Sequence, residues 1–322
     1  MHMKWQALVL AGVVLVSAFL TRVGVESGRA VESLSSGDVV FTSLDSGVSP
    51  SDSDASLRAS LSEAQVSEAK QVPARDWGVL DPQVSAEAVL IQSLDDSFPF
   101  FHKKTYVSWP TASLAKLLTS LVVLEDVGAN KKIMITERAV ATEGLAGNLQ
   151  TGEIYSAQDL LKIMLLSSSN DAAVAFEDFA GGTDEFIRLM NRKARELGMT
   201  GSLFYDASGL SSLNSSTASD LLRLLRYIAE SHPQIFQWTR IPSFLVQPVN
   251  DVESRLISNI NPLVAKPEFL GGKTGTSPRA GENLIALFSL GDERIVMILL
   301  GSRDRVGDAE RLLKWIGEAY GL

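Results

Sequence analysis

From Phe269 to Ser302 the chain reads FLGGKTGTSPRAGENLIALFSLGDERIVMILLGS. Three segments of it, FLGGKTG, ENLIALFSL and ERIVMILLGS, read as strands, being runs of aliphatic and β-branched residues bounded by turn residues. The last two are joined across Gly291-Asp292, a tight turn signal that sets them antiparallel. A closing helix is expected over DAERLLKWIGEAYG. Far upstream, AEAVLIQS from Ala86 is a further strand candidate. Between them lies helical sequence: Ser113 to Glu125, AQDLLKIMLL, DAAVAFEDFA, DEFIRLMNRKARELG and TASDLLRLLRYIAE carry apolar residues at three- and four-residue spacing. A strand, a long helical insert, then antiparallel strands and a helix predicts an α/β sandwich with a helical subdomain.

The composition bounds the chemistry. At 322 residues, 45% hydrophobic and 21% charged, the chain is globular in character and can bury a sizeable core. A net charge of −9 without a basic stripe argues against a nucleic-acid partner. The absence of cysteine excludes disulfides, thiolate metal sites and a cysteine nucleophile. With His2, His102 and His232 as the only histidines, a histidine-rich zinc site is not expected, nor any other metal or organic cofactor. Residues 1–22 are expected to be a signal sequence or an N-terminal membrane anchor. Lys4 precedes the apolar run WQALVLAGVVLVSAFLT, and Arg22 follows it. VSA ending at Ala18 suits cleavage, whereas Phe19 and Leu20 continue the run and favour an uncleaved anchor. Either way the rest of the chain is expected on the extracytoplasmic face of the membrane, or secreted. Residues 23–85 hold ten acids against four bases, a net of −6, and are rich in Ser, Asp and Gly. Such sequence buries too little apolar surface to offset ordering entropy and is expected to be a disordered tether. The folded domain is then 86–322.

Three segments carry candidate chemistry. In WPTASLAKLLTSLVVLE, Ser113 and Lys116 stand three apart, on one face of a helix whose start is signalled by Pro110. A serine hydroxyl needs a base to take its proton, and a lysine serves only when neutral. Leu114, Leu117 and Leu118 supply an apolar setting that lowers an amine pKa, and a second cation nearby would lower it further. The pair alone is weak, since SEAK at Ser67 to Lys70 also matches. The second cation is available as Lys273 in GGKTGTSPRAG. That segment is not a phosphate loop: position 267 is Pro where glycine is required, and a strand follows instead of a helix. The third segment, LLSSSNDAAVAF, sets Ser168 and Asn170 two apart between helices, as SLN at Ser212 to Asn214 also does. The order Ser113, then Ser168, then Lys273 is far more specific than any one motif.

S-x-x-K, S-x-N and K-T-G in this order resemble the penicillin-recognising serine enzymes. PTASLAKLLTS, LMNRKARELGM, DASGL and GGKTG narrow the resemblance to the low-molecular-mass D-alanyl-D-alanine carboxypeptidases, from about Ala86 to the end. That resemblance implies a β-lactamase/transpeptidase-like fold, an antiparallel five-stranded sheet flanked by helices plus an all-helical subdomain. It implies a serine-type carboxypeptidase that removes the terminal D-alanine from peptidoglycan stem peptides, with Ser113 as nucleophile, Lys116 as general base and Ser168 as proton relay. Asn170 and Lys273 would hold substrate and tune the relay. Thr274 and Ser277 would line the substrate strand, and the N–H groups of Ser113 and Thr276 would form the oxyanion hole. Arg305 would receive the terminal carboxylate, as an arginine fork suits. Peptidoglycan peptides are then the partners, β-lactam antibiotics the inhibitors, and the bacterial cell envelope the location. The alternatives are a D,D-endopeptidase acting on cross-links and a class A β-lactamase-like hydrolase. The latter needs a glutamate in E-x-x-L-N, which Asp171 to Gly272 does not contain. The resemblance stops at Leu322 without the β-rich second domain and C-terminal anchor of many relatives, and the N-terminal apolar segment is expected to replace that anchor. Pro278 and Arg279 depart from the smaller or acidic residues of relatives, which bears on substrate preference.

Overall fold

The computed structural model describes residues 73–322 apart from Leu145. The expected signal or anchor (1–22) and most of the expected tether lie outside the described residues. Five antiparallel strands form the main sheet: β1 (Ala88–Ser93), β2 (Pro99–Lys103), β3 (Phe269–Ser277), β4 (Gly281–Leu290) and β5 (Glu293–Ser302). Their order is β2-β1-β5-β4-β3, so the N-terminal strand pairs with the last one and β3 lies at an edge.

The apolar runs in these strands are unbroken because both faces of the sheet are covered. Successive side chains point to opposite faces. Leu90, Ile285, Leu287, Val296, Ile298 and Leu300 belong to one core, shared with the helical insert. Val89, Ile91, Leu284, Phe288, Met297 and Leu299 belong to the other. That second core is closed by α7 (Arg305–Tyr320), through Leu312, Trp315, Ile316 and Ala319.

The insert holds α1 (Ala115–Val122), α2 (Ala157–Leu166), α3 (Asn170–Phe179), α4 (Thr183–Glu196), α5 (Ala218–Ser231) and the short α6 (Gln234–Thr239). Every residue of α1 is buried. A helix buried on all sides is central, and this one carries Lys116 into the core. The helix expected from Ser113 to Glu125 is in fact three joined pieces. A 3-10 turn (Ala112–Leu114) precedes α1, and a π-helical turn (Val123–Val127) follows it. Pro110 does not open the helix; it pairs with Ser215 in a two-residue strand. The sequence analysis did not anticipate β2, α6 or the strand pairs Lys132–Met134 with Ile154–Ser156 and Ser243–Val246 with Arg255–Ser258. None of these is long enough to show a period.

The boundary expected at residue 86 is also too late. Asp76 donates its N–H to the Ala319 carbonyl, and the Arg75 guanidinium lies over the Trp77 and Trp315 rings. The buried Asp308 carboxylate accepts from the Ser85 N–H and hydroxyl, the Ala86 N–H, the Ser302 hydroxyl and Arg311. Removing it leaves several buried donors without partners. Asp308→Ala is therefore expected to destabilise the domain by about 2–4 kcal/mol, read as a lowered urea midpoint. Among the described residues no helix is long and apolar enough to cross a membrane.

Candidate active site

The nucleophile candidate is placed by a strained turn. Asn283, fully buried on β4, donates from Nδ2 to the carbonyls of Pro110 (2.8 Å) and Thr111 (3.1 Å). Its Oδ1 accepts the Gly301 N–H, which locks it to β5. Ala112 then takes φ 46, in the left-handed region, and the 3-10 turn presents Ser113. Two glycines let the chain pack around this turn. A Cβ at Gly275 would stand 2.9 Å from the Thr111 carbonyl oxygen and 3.1 Å from the Ser113 nitrogen. A Cβ at Gly209, whose φ is +88, would stand 2.1 Å from the Ala112 carbonyl oxygen. Gly209→Ala therefore forces the turn away. It is expected to cost about 1–3 kcal/mol of stability, checked by chemical denaturation.

Lys116 is wholly buried. Its Nζ donates to Ser113 Oγ (2.9 Å), Asn170 Oδ1 (2.7 Å) and the Ser208 carbonyl (2.5 Å). Burial lowers its pKa to about 7, against the opposing pull of the Asp206 and Asp171 carboxylates. A neutral amine at this spot keeps two donors for Asn170 and Ser208 and turns its lone pair to the Ser113 hydroxyl. On the facing wall Lys273, also buried, donates to Ser168 Oγ (3.0 Å) and the Thr274 carbonyl (2.7 Å). Burial first, then the Lys116 and Arg305 charges, push its pKa well below the ordinary ammonium range. Burial in an apolar setting, as expected from the sequence, is the leading cause; the charges that act on Lys116 are the Asp206 and Asp171 carboxylates and not the expected second cation.

Ser168 sits between α2 and α3 at φ 61, a second non-glycine residue in the left-handed region. Asn170 opens α3 behind the Ser169 cap. Its Oδ1 is taken by Lys116, and its Nδ2 donates to the Glu143 carbonyl (2.9 Å), leaving one N–H for a ligand.

These groups face a cleft of about 550 Å³. Its lining includes Ser113, Ser168, Asn170, Thr274, Thr276 and Arg305. Lys116 and Lys273 lie beneath its floor. Ser277 is not part of the lining; its hydroxyl accepts the Ala280 N–H and caps the turn into β4. Arg305, the first residue of α7, donates to the carbonyls of Gly275 (2.9 Å) and Asn283 (3.0 Å) and to Thr276 Oγ1 (2.6 Å). Glu282 accepts the Arg305 N–H at 3.0 Å and lies 3.4 Å from its Nε. Asn283, Glu282, Asp206 and Gly209 were missed as site-builders. DASGL carried the available signal, an acid three residues before a glycine in a loop. Among the described residues no group of His, Cys, Asp and Glu is placed to hold a metal.

The family model for D-alanyl-D-alanine carboxypeptidase matches residues 78–304. The D-alanyl-D-alanine carboxypeptidase DacC of Escherichia coli is 32% identical over 274 residues, 78% of this chain and 63% of that protein. The chain thus spans less than two thirds of that relative. A D-alanyl-D-alanine endopeptidase of Pseudomonas aeruginosa is 27% identical, covering 74% of this chain and 79% of its own. Among solved structures, a penicillin-binding protein from Listeria monocytogenes in its cefotaxime-bound form aligns with TM-score 0.65 at 27% identity, covering 73% of this chain and 98% of that one.

Proposed function

The chain belongs to the D-alanyl-D-alanine carboxypeptidase family, and from that premise we propose that it cleaves the terminal D-alanine from peptidoglycan stem peptides through an acyl-enzyme on Ser113. The observation that carries this reading is the convergence of three distant segments. Lys116 Nζ lies 2.9 Å from Ser113 Oγ, and Lys273 Nζ lies 3.0 Å from Ser168 Oγ, across one cleft.

In this reading neutral Lys116 takes the Ser113 proton as Oγ attacks the carbonyl of the penultimate D-alanine. The N–H groups of Ser113 and Thr276 stabilise the oxyanion. Ser168, polarised by Lys273, passes its proton to the departing D-alanine nitrogen as the peptide bond breaks and takes back the proton held by Lys116, which leaves the amine neutral again. Thr274, Thr276 and Arg305 receive its carboxylate, and the free Asn170 N–H holds the substrate backbone. Water then attacks the ester and frees Ser113.

The substrate lies along the part of the β3 edge that lines the cleft, Thr274 to Thr276, where an extended peptide adds as a further strand. The expected site of action is the bacterial cell envelope, outside the cytoplasmic membrane. Cleavage of cross-links is the second reading, favoured by the similarity to the Pseudomonas endopeptidase.

The test is intact-mass measurement after benzylpenicillin, together with assay of D-alanine released from a pentapeptide and from a cross-linked dimer. A persistent adduct of one penicilloyl group is expected, with release from the pentapeptide the faster. Rapid penicillin turnover without an adduct would instead mark a β-lactamase. Faster cleavage of the dimer would favour the endopeptidase.

A further inference from the structure

The Ser208 carbonyl that meets Lys116 at 2.5 Å belongs to a loop with little apolar content, and something must hold it there. One side chain does most of that. Asp206 Oδ1 accepts from the Ser208 N–H (2.8 Å), the Ser208 hydroxyl (2.8 Å), the Gly209 N–H (2.5 Å) and the Leu210 N–H (3.2 Å). Its Oδ2 accepts from the Ser211 N–H (2.6 Å). A carboxylate collecting five donors fixes the path of residues 206–211, including the Gly209 contact with the Ser113 turn.

We propose that Asp206 is a positioning residue for acylation: its carboxylate folds the loop so that the Ser208 carbonyl is held on the Lys116 amine, and it brings a negative charge to the same corner of the site. The proposal rests on the assignment of Ser113 and Lys116 above and extends it to a residue outside the three motifs. The charged groups acting at Lys116 come from three elements. Asp171 on α3 and Asp206 in the loop both favour the ammonium, while on β3 it is Lys273 whose own ammonium form the Lys116 charge disfavours. Glu177 on α3 accepts the Ala207 N–H at 2.9 Å and adds a further carboxylate beside the loop. Asp206 differs from these in binding the backbone of residues 208–211 that carries the Ser208 carbonyl, so its charge and its geometry separate by substitution.

Asp206→Asn keeps the oxygen that accepts four of the donors and removes the charge. Asp206→Glu keeps the charge and displaces the oxygens. The experiment measures the second-order rate of labelling by a fluorescent penicillin from pH 5 to 9, using the full chain. For Asp206→Asn the midpoint of the acid limb is expected to fall by about 0.5–1 pH unit, because the anion that favoured the ammonium is gone. For Asp206→Glu the midpoint is expected to stay, while the plateau rate falls at least tenfold. A limb that coincides with the parent's in Asp206→Asn, or an unchanged plateau in Asp206→Glu, overturns the proposal. Should Asp206→Asn fail to melt cooperatively, the plateau of Asp206→Glu decides alone. A parent chain that takes no label overturns the underlying assignment, and this proposal with it. A labelled parent with an unmoved limb overturns this proposal only.

Discussion

Ser113→Ala is expected to abolish the penicilloyl adduct and to lower D-alanine release by at least about 10⁴-fold. The fold should survive, with stability changed by no more than about 1 kcal/mol. The reason lies in the local bonding. Ser113 contributes one of three acceptors to the Lys116 amine, and the Asn170 and Ser208 oxygens remain after substitution. The hydroxyl supports no other element of the core; the turn that carries it is held by Asn283 through the carbonyls of Pro110 and Thr111. Loss of labelling with an unaltered melting curve thus isolates the nucleophile from its scaffold. Ser212→Ala makes a suitable control. It lies in the lookalike SLN triplet, its hydroxyl accepts from the exposed Arg279, and it should label normally. Full labelling of Ser113→Ala would remove the foundation of the proposed function.

Both cleft hydroxyl groups are tied to backbone strain. Ala112 and Ser168 hold φ values of 46 and 61, each costing about 1–3 kcal/mol relative to a relaxed residue. The surroundings that impose them are specific: Asn283 and Gly209 at the first, the junction of α2 and the capped α3 at the second. Strain held in this way presents the Ser113 and Ser168 hydroxyl groups to the cleft without further rearrangement. It also makes the neighbouring small or amide residues sensitive to change although none of them reacts.

How much of this could be read in advance follows from the physics of each element. The long strands and helices were legible because burial imposes a period. Strands β1, β4 and β5 are apolar without a break because cores lie on both sides of them. Ser113, Lys116, Ser168, Asn170 and Lys273 were legible because the chemistry restricts residue type and order. Asp206 and Asn283 were not, since an acid in a loop and an asparagine on a strand are commonplace until the fold shows which backbone groups they satisfy. Ser277 was expected along the substrate strand by its place after K-T-G-T. The bend into β4 begins there, and its hydroxyl caps that bend. Residues 73–85 read as tether because their composition matches the preceding segment, yet Arg75, Asp76 and Ser85 find partners on α7 that are over two hundred residues away in sequence.

The second large effect concerns Lys116, the proposed base. Lys116→Met keeps the length of the side chain and removes the amine, and acylation is expected to fall by about 10²–10⁴-fold at pH 8. In the parent protein the acylation rate should drop about tenfold per pH unit below about 7, since only the neutral amine can accept the Ser113 proton and burial sets its pKa near that value. The same displacement has a thermodynamic consequence whose sign is opposite to that of a salt-bridged lysine. Between pH 7 and the ordinary lysine value of 10.5 the unfolded chain carries a proton at this position that the folded chain lacks. Stability therefore rises with pH across that window through this group, and the penalty for burying the amine is felt in full below it. Lys116→Met should flatten the dependence of the urea midpoint on pH between 7 and 10, and at the same time erase the acid limb of acylation. The paired measurement is discriminating. An ordinary solvated lysine would influence neither quantity, and a merely structural buried lysine would influence the first alone. An acid limb in Lys116→Met identical to the parent's would transfer the role of base to another group, for which the buried Lys273 amine on Ser168 is the candidate.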